Sequence, residues 1–218
     1  MNAKLTRRDA VVLLSSSVGL VAGGGLALGG KQVLPQRLVY GFGPNETATL
    51  EPTAACADAH LTARYEEGPF YTPNTPLKTD FRLPDHGGHE LLLEGKVTDE
   101  RCVPIAGAVL DFWHADPRAD YDNVDYAYRG HMFTGADGSY ALRTIVPPPY
   151  RFALLWRVPH IHVKVQGPTT RLLTTQIFFP DASGVTRDVD FDRSLLARVA
   201  EPVDGVARAT FHFVLRRS

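Results

Sequence analysis

The chain has 218 residues, of which 44% are hydrophobic and 22% charged, the composition of an ordinary globular protein. Its formal net charge is -1, with no long block of like charges. Nucleic acid and anionic membrane surfaces call for a basic patch, so neither is predicted as a partner. The length suits a single domain with one well-filled core.

The first 30 residues have the pattern of an export signal. Lys4, Arg7 and Arg8 precede an apolar stretch rich in Gly, Ser and Ala. Adjacent arginines before a weakly apolar stretch are typical of the bacterial twin-arginine signal. The alternative, a membrane-anchoring helix, is weakened by three consecutive glycines at 23–25. We therefore expect an exported protein, periplasmic or extracellular, with no stable membrane insertion after export.

Residues 31–60 separate this signal from the predicted domain at 61–218. The segment mixes Pro, Gly, Asn and Thr with little periodicity, which indicates a linker or an N-terminal arm. The chain has two cysteines, Cys56 and Cys102. An even pair in an exported chain is compatible with one disulfide, and the alternative is two unpaired thiols.

Short apolar runs separated by turn residues begin at residue 90. They are rich in Val, Ile, Thr, Phe and Tyr, which is typical of β-strands. One segment, 191–200, looks helical because Leu195, Leu196 and Val199 fall on one stripe. The predicted fold is therefore all-β, a β-sandwich with long loops and a short helix. The predicted strands are 90–97, 107–113, 139–146, 160–165, 172–179 and 208–215.

His160 and His162 lie one residue apart within a predicted strand. Residues i and i+2 of a strand point to the same face, so the two imidazoles could bind one metal ion. The pair alone is weak evidence, because a strand histidine is more often a packed or surface residue. If these were the only ligands in view, zinc would be the default metal.

Tyrosines are frequent in the segments that precede the histidines, at 113–130 and 134–150. Phenolate is a hard anionic ligand that favours iron(III), whereas zinc sites are usually built from His, Cys and carboxylate. Most individual tyrosines are expected to be packing residues. Two tyrosines joined to the two histidines would nevertheless indicate a ferric, non-haem site.

Several longer motifs resemble those of the intradiol ring-cleavage dioxygenases, and among them the branch that acts on protocatechuate. The resemblance depends on the order and spacing of the motifs, which cover more than half of the chain. They are EGPFY (67–71), WHADPRADY (113–121), DGSY (137–140), RTIVPPPY (143–150), WRVPHIH (156–162) and LTTQ (173–176).

This resemblance implies that Fe(3+) is the cofactor and assigns its ligands. Tyr126 and Tyr128 are alternatives to the first tyrosine if the register of that loop differs. The implied ligands are Tyr121, Tyr150, His160 and His162. Of the other residues, Tyr150 is implied to take a substrate proton, Arg157 to face the bound ring, and Gln176 to orient a ligand or the substrate. Phe70, Tyr71 and Phe152 are expected to wall the substrate pocket.

The implied activity is cleavage of a catechol, protocatechuate-like, with dioxygen to a muconate-type diacid. A small aromatic diol and dioxygen are thus the expected partners, and a homo- or hetero-oligomer is compatible with the resemblance. One alternative is a catechol or hydroxyquinol 1,2-dioxygenase on the same scaffold. Another is a non-catalytic, transthyretin-like β-sandwich binding module. Because metal binding requires neutral imidazoles, activity is expected to fall below about pH 6.

Overall fold

The computed structural model describes residues 60–84, 87–180 and 188–218. Within these ranges the chain forms eleven β-strands and one 3₁₀ helix of three residues, so the all-β prediction is confirmed. The strands are β1 (Glu90–Asp99), β2 (Val109–Trp113), β3 (Arg129–Phe133), β4 (Ser139–Ile145), β5 (Tyr150–Phe152), β6 (Leu155–Arg157), β7 (His160–Gln166), β8 (Leu173–Phe178), β9 (Arg198–Val203), β10 (Val206–Thr210) and β11 (Phe213–Leu215).

The first sheet is organised around β1, the longest strand. β4 pairs with β1 antiparallel, and β10 and β11 pair with the first and last parts of β1 in parallel. β9 extends the sheet through an antiparallel pairing with β10. Burial alternates along β1, so one face of the strand is directed to the core.

The second sheet has the order β3-β2-β7-β8, with every pair antiparallel. Ile161 and Val163 of β7 are fully buried in a core that also takes Leu91 and Leu93 from β1. The two sheets therefore share one apolar core, which gives the sandwich. β5 and β6 form a separate antiparallel hairpin between β4 and β7 in the chain.

The predicted helix over 191–200 is wrong. Only Arg193–Leu195 forms a 3₁₀ helix, capped by the Asp192 side chain, which accepts a hydrogen bond from the Ser194 N–H. The chain then continues into β9, because pairing with β10 satisfies the backbone in extended form. The apolar stripe was too short to separate a helix from a turn followed by a strand.

The predicted strands are all present. One of them is divided into two strands, and several observed strands were not predicted. The run 208–215 is two strands, β10 and β11, separated by Phe211 and His212. β3, β5, β6 and β9 were not predicted as strands. No helix within the described ranges is long and apolar enough to span a membrane.

The predicted export signal at 1–30 lies outside the described residues, as does all of the predicted linker except residue 60. Both assignments stay predictions. Cys102 is disulfide-bonded. Cys56, the other cysteine of the chain, also lies outside the described residues.

Candidate metal centre

The two histidines occupy the outer face of the second sheet. Ile161 and Val163 alternate with them along β7 and enter the sandwich core. His160 and His162 therefore point to the opposite face, as the strand period requires. They are nevertheless only 2% and 3% exposed, and their ring centroids lie 4.8 Å apart.

Neighbouring strands hold His162 in a cross-strand row. Trp113 of β2 and Gln176 of β8 are its direct partners in register. The Trp113 ring stacks on His162 at a centroid distance of 5.0 Å and an interplanar angle of 9°. Gly68 packs close to the same imidazole with a φ of +71°, a position where a Cβ would lie 3.4 Å from His162 Cε1. This row fixes the orientation of the ring through packing.

Tyr121 reaches the site from the loop that joins β2 to β3. Its ring stacks on Phe70 with centroids 4.4 Å apart, and the Arg129 guanidinium carbon lies 5.9 Å from the Tyr121 ring centroid. Arg129 is fully buried and donates to the Asp122 carbonyl and to Asn123 Oδ1. Arg129 therefore anchors the two residues that directly follow the tyrosine.

Tyr150 opens β5 and pairs in register with Arg157 of β6. The hairpin thus presents a tyrosine and an arginine side by side at its open end. Tyr150 is 7% exposed, and its ring lies 5.5 Å from that of His160.

Three donor atoms from these elements meet at one point. Tyr121 Oη lies 3.3 Å from Tyr150 Oη and 3.5 Å from His160 Nε2, and Tyr150 Oη lies 3.4 Å from His160 Nε2. Atoms so arranged are all about 2.0 Å from a common centre, the usual length of a metal–oxygen or metal–nitrogen bond. His162 lies beside them, with its ring 6.0 Å from Tyr121.

The protonation of the histidines suits metal ligation. His160 Nδ1 donates to the Val158 carbonyl at 2.7 Å, which leaves the Nε2 lone pair directed at the tyrosine oxygens. Burial, with a smaller effect from Arg157, lowers the pKa of His160 to about 3. Burial and the neighbouring His160 hold the pKa of His162 well below its usual value. Both rings are therefore neutral well below pH 6, lower than the limit expected from free histidine.

Burial raises the pKa of Tyr121 well above its usual value, and the nearby Tyr150 raises it further. An uncompensated phenolate is therefore unfavourable here, and a bound cation would supply the missing positive charge. Among the described residues, no group of three or more His, Cys, Asp and Glu could hold a metal ion. Any metal at this place must take tyrosinate oxygens, a donor set that fits iron(III) better than zinc.

Arg157 is held at the edge of this cluster by three side chains. Its Nη2 donates to Gln176 Oε1 at 2.8 Å, and its Nε donates to Asp188 Oδ2 at 3.3 Å. Its Nη1 lies 3.7 Å from Asp190 Oδ2. Burial alone would lower the pKa of Arg157, but Tyr150 and these carboxylates raise it above its usual value. The sequence indicated Arg157 and Gln176 but gave no signal for Asp188.

The three predicted pocket residues have different positions. Phe70 stacks on Tyr121, and Phe152 meets Phe70 edge to face at 6.0 Å. Tyr71 instead packs on Trp113, and its hydroxyl donates to Asp111 Oδ2 at 3.0 Å. Tyr71 therefore packs on Trp113, whereas Phe70 packs directly on the Tyr121 ring and Phe152 packs on Phe70.

The two alternative tyrosines point elsewhere. The Tyr126 hydroxyl donates to the Pro73 carbonyl at 3.1 Å, and Tyr128 is buried against the His114 ring. The structure thus brings Tyr121, and not these two, next to His160. The roles of Tyr121, Tyr150, His160 and His162 as iron ligands stay predictions.

Comparison with known proteins identifies the fold and the family. A family model described as "Dioxygenase" matches residues 66–216, which contain all the residues of this site. The chain belongs to the intradiol ring-cleavage dioxygenase family. It is 40% identical to the dioxygenase domain of a dioxygenase–carbohydrate-binding protein fusion from Streptomyces sp. SirexAA-E, covering 73% of this chain and 100% of that one, with a TM-score of 0.67.

Other members of the intradiol family show the same fold or share the sequence pattern. The crystal structure of 3-chlorocatechol 1,2-dioxygenase from Rhodococcus opacus 1CP is 28% identical over 74% of this chain and 76% of that one, with a TM-score of 0.68. Chlorocatechol 1,2-dioxygenase from Cupriavidus pinatubonensis is 33% identical over 56% of each chain. Hydroxyquinol 1,2-dioxygenase from a Rhizobium strain is 32% identical over 60% of this chain and 52% of its own length. The chain thus spans about half the length of the curated relatives it matches.

Proposed function

We propose that the protein is a non-haem iron(III) dioxygenase that cleaves a catechol ring between its two hydroxylated carbons. Its substrates would be a catechol and dioxygen, and both oxygen atoms would enter a muconate-type diacid. The observation that carries this proposal is the convergence of Tyr121 Oη, Tyr150 Oη and His160 Nε2 within 3.5 Å of one another in a buried site.

The residues fit iron(III) through their chemistry as well as their spacing. Tyr121 and Tyr150 would supply anionic oxygens, and His160 and His162 would supply neutral imidazole nitrogens. When bound, iron(III) would act as a Lewis acid and as a template for both catechol oxygens.

Tyr150 has the position needed to accept a substrate proton. Its Oη is one of the three converging donor atoms, so a catechol hydroxyl that enters the cluster would come within hydrogen-bond reach of it. We propose that Tyr150 Oη holds this proton while the substrate is bound.

Arg157 would stabilise negative charge on the bound ring. Its guanidinium lies beside Tyr150 in register and is only 12% exposed. A fixed cation in a site shielded from water stabilises developing negative charge strongly without moving. Gln176 would hold the guanidinium through Oε1, and Phe70 and Phe152 would exclude water from the ring.

The choice among catechols is a finer proposal. The sequence motifs predict a protocatechuate-like substrate, whereas the matched relatives are named as chlorocatechol, catechol and hydroxyquinol 1,2-dioxygenases. A ring carboxylate needs a cation to bind it, and Arg157 is already paired with Asp188 and Asp190. We therefore propose a catechol without a ring carboxylate as the better substrate.

The test combines iron analysis, a visible spectrum and product analysis. The protein purified with iron should show a tyrosinate-to-iron charge-transfer band and should consume one dioxygen per catechol, yielding a muconate. Turnover of catechol, chlorocatechol, hydroxyquinol and protocatechuate under the same conditions would rank the substrates. A fully metallated protein without the band would contradict the ligand set. A coloured protein that binds catechol but forms no diacid would indicate a binding module.

Export through the twin-arginine route is a separate proposal, supported by Arg7 and Arg8 before the apolar stretch. The full chain expressed in a bacterium should appear in the periplasmic fraction. The Arg7→Lys, Arg8→Lys double variant should remain in the cytoplasm. Equal distribution of the two proteins would reject the signal.

A further inference from the structure

Asp188 is a buried carboxylate that no sequence motif indicated. Its side chain is 0% exposed, and it accepts hydrogen bonds from three groups of the protein. Oδ2 accepts from Arg157 Nε at 3.3 Å and from the Val158 N–H at 2.8 Å, and Oδ1 accepts from the Asp190 N–H at 3.0 Å. A buried carboxylate is stable when its lone pairs are satisfied in this way.

The same oxygen therefore holds both a side chain and the backbone next to it. Arg157 ends β6, and Val158 follows it directly. The Val158 carbonyl in turn accepts the His160 Nδ1 proton at 2.7 Å. One hydrogen bond thus joins Asp188 to the Arg157 guanidinium. Two hydrogen bonds, through Val158, link Asp188 to the His160 imidazole, which contributes Nε2 to the donor cluster.

The guanidinium is held from two directions. Gln176 binds Nη2 and Asp188 binds Nε, while Gln176 Nε2 also donates to the Glu66 carbonyl at 3.3 Å. An arginine side chain with several rotatable bonds keeps one position only when its planar fork is fixed at more than one nitrogen. Without Asp188, Gln176 and the longer contact with Asp190 would be the polar side-chain partners that remain among the described residues.

We propose that Asp188 is a positioning residue for the ring-cleavage reaction. It orients Arg157 towards the bound catechol and fixes the Arg157–Val158 backbone, from which His160 is held. This inference rests on the proposed function, because the task of Arg157 is defined by the substrate. In this proposal Asp188 acts through Arg157 and Val158 and does not contact the substrate.

Two substitutions separate the effect of the position of the Asp188 carboxylate from the effect of its charge. Asp188→Asn removes the charge and one acceptor, and Asp188→Glu keeps the charge but moves the carboxylate by one methylene. We expect both to lower kcat, by about 100-fold for Asn, since a misplacement of about 1 Å can cost that much. The KM for catechol should change less than about threefold, because Arg157 acts mainly after binding. Full kcat in Asp188→Glu would reject a role in positioning.

Two other aspartates of the same segment serve as comparisons. Asp190→Asn removes a negative charge 3.7 Å from the same guanidinium but leaves the Val158 bond intact. Its kcat should fall much less than that of Asp188→Asn, and an equal fall would show that charge alone matters. Asp192→Asn weakens only the cap of the 3₁₀ helix, and its kcat should stay within about twofold of the wild type.

A double-mutant cycle tests whether Asp188 acts through Arg157. Arg157→Gln should lower kcat, and adding Asp188→Asn to it should lower kcat by a much smaller factor than Asp188→Asn does in the wild type, the remaining loss coming from the bond to Val158. Independent, multiplied losses would overturn the proposal. The comparison of Arg157→Gln with the double variant remains informative if Asp188→Asn alone fails to fold, because the double variant leaves no unpaired buried charge.

A measurement on the iron-free protein separates this inference from the proposed function. In ¹⁵N spectra, the Arg157 Nε–H should exchange slowly with solvent in the wild type and rapidly in Asp188→Asn. The Arg157→Gln spectrum assigns the signal. A wild type that shows this protection but cleaves no catechol would reject the proposed function alone. A rapidly exchanging Arg157 Nε–H in the wild type would reject the positioning of Arg157 by Asp188, whatever the activity.

Discussion

The two halves of the candidate site are built in different ways. The histidine half, His160 and His162, lies on β7, which pairs with β2 on one side and with β8 on the other. The tyrosine half, Tyr121 and Tyr150, comes from a loop and from a strand of three residues. A sheet positions the first pair through its regular hydrogen bonds, whereas side-chain packing must position the second.

The loop that carries Tyr121 includes several residues in an unfavourable backbone conformation. Ala119, Tyr126 and Tyr128 have φ values of +64°, +57° and +55°, in the left-handed region that residues with a Cβ rarely adopt. The Asp122 carboxylate accepts hydrogen bonds from the N–H groups of Val124, Asp125 and Ala127 and so folds the loop back on itself. The tyrosine half should therefore be more sensitive to remote changes than the histidine half.

The largest effect is expected when one proposed ligand of each half is removed. His160→Ala should lower iron affinity by more than about 100-fold and reduce turnover to background, because even outer partners of metal ligands contribute 10- to 100-fold. Tyr121→Phe should retain more iron but shift or bleach the visible band. Metal analysis and absorption spectra distinguish the two, and exposed His60→Ala is the control. Full iron and full colour in His160→Ala would contradict the proposed ligand set.

Phe70→Ala tests whether packing positions the tyrosine half. Phe70 is 3% exposed and stacks on Tyr121, so its removal should cost about 4 kcal/mol of unfolding free energy. The visible band should also shift, because the Tyr121 ring loses its support. Phe213→Ala, in the fully buried core at β11, should cost a similar amount without moving the band. Denaturant titration and spectra of both variants make the comparison, and an unchanged band in Phe70→Ala would mean that Tyr121 holds its place unaided.

His114 should make stability depend on pH. Burial lowers the pKa of His114 to about 4, partly opposed by its hydrogen bond to the Ala115 carbonyl. Between the ordinary value near 6.5 and about 4, the unfolded chain binds a proton that the folded protein does not. The free energy of unfolding should therefore decrease as pH falls through this window, by up to about 3 kcal/mol from this residue.

Denaturant titrations of the wild type and His114→Gln at several pH values measure this contribution. The variant should be less stable at pH 7, because His114 Nε2 loses its bond with Thr144 Oγ1, but its stability should depend less on pH. The buried site histidines contribute in the same direction in both proteins, so the difference isolates His114. Two parallel curves would show that His114 titrates normally.

The smallest effect is expected from removal of the Asp122 carboxylate, which holds the Tyr121 loop. Asp122→Ala leaves three backbone N–H groups of the Tyr121 loop without their acceptor and should cost about 2 kcal/mol. The charge-transfer band should broaden as the loop samples more than one position. Asp137→Ala removes a comparable turn anchor between β3 and β4, where Asp137 accepts from the Ser139 N–H. The Asp137→Ala variant should leave the band unchanged. Identical spectra for both variants would contradict the idea that the position of Tyr121 depends on its loop.

Much of the sheet and the histidine half could be predicted from the sequence because their signals are local. The alternation of β7 placed His160 and His162 on one face, and motif spacing led to Tyr121, which the structure brings next to His160. The segment 191–200 failed because pairing of β9 with β10, a tertiary contact, decides its conformation. Such contacts leave no periodic trace in a short run of residues.

Asp188 and Arg129 could not be found from the sequence for a different reason. Each is defined by partners that only the folded chain brings together, and neither belongs to a motif of fixed spacing. Asp188 is 30 residues from Val158. Arg129 received no assignment from the sequence, and it is fully buried beside the Tyr121 ring. Long-range burial of charge is a property of the fold and has no local signature.

The β5–β6 hairpin has a consequence for protein engineering. Tyr150 and Arg157 are paired at its open end, and Ala153 and Leu154 form its two-residue tip, where Leu154 is 88% exposed. A residue inserted within either arm would slide the tyrosine past the arginine by about 3.3 Å. Residues added at the tip would leave that pairing intact. Libraries randomised at 153–154 can therefore vary the surroundings of Phe152 while the spacing of Tyr150 and Arg157 stays constant.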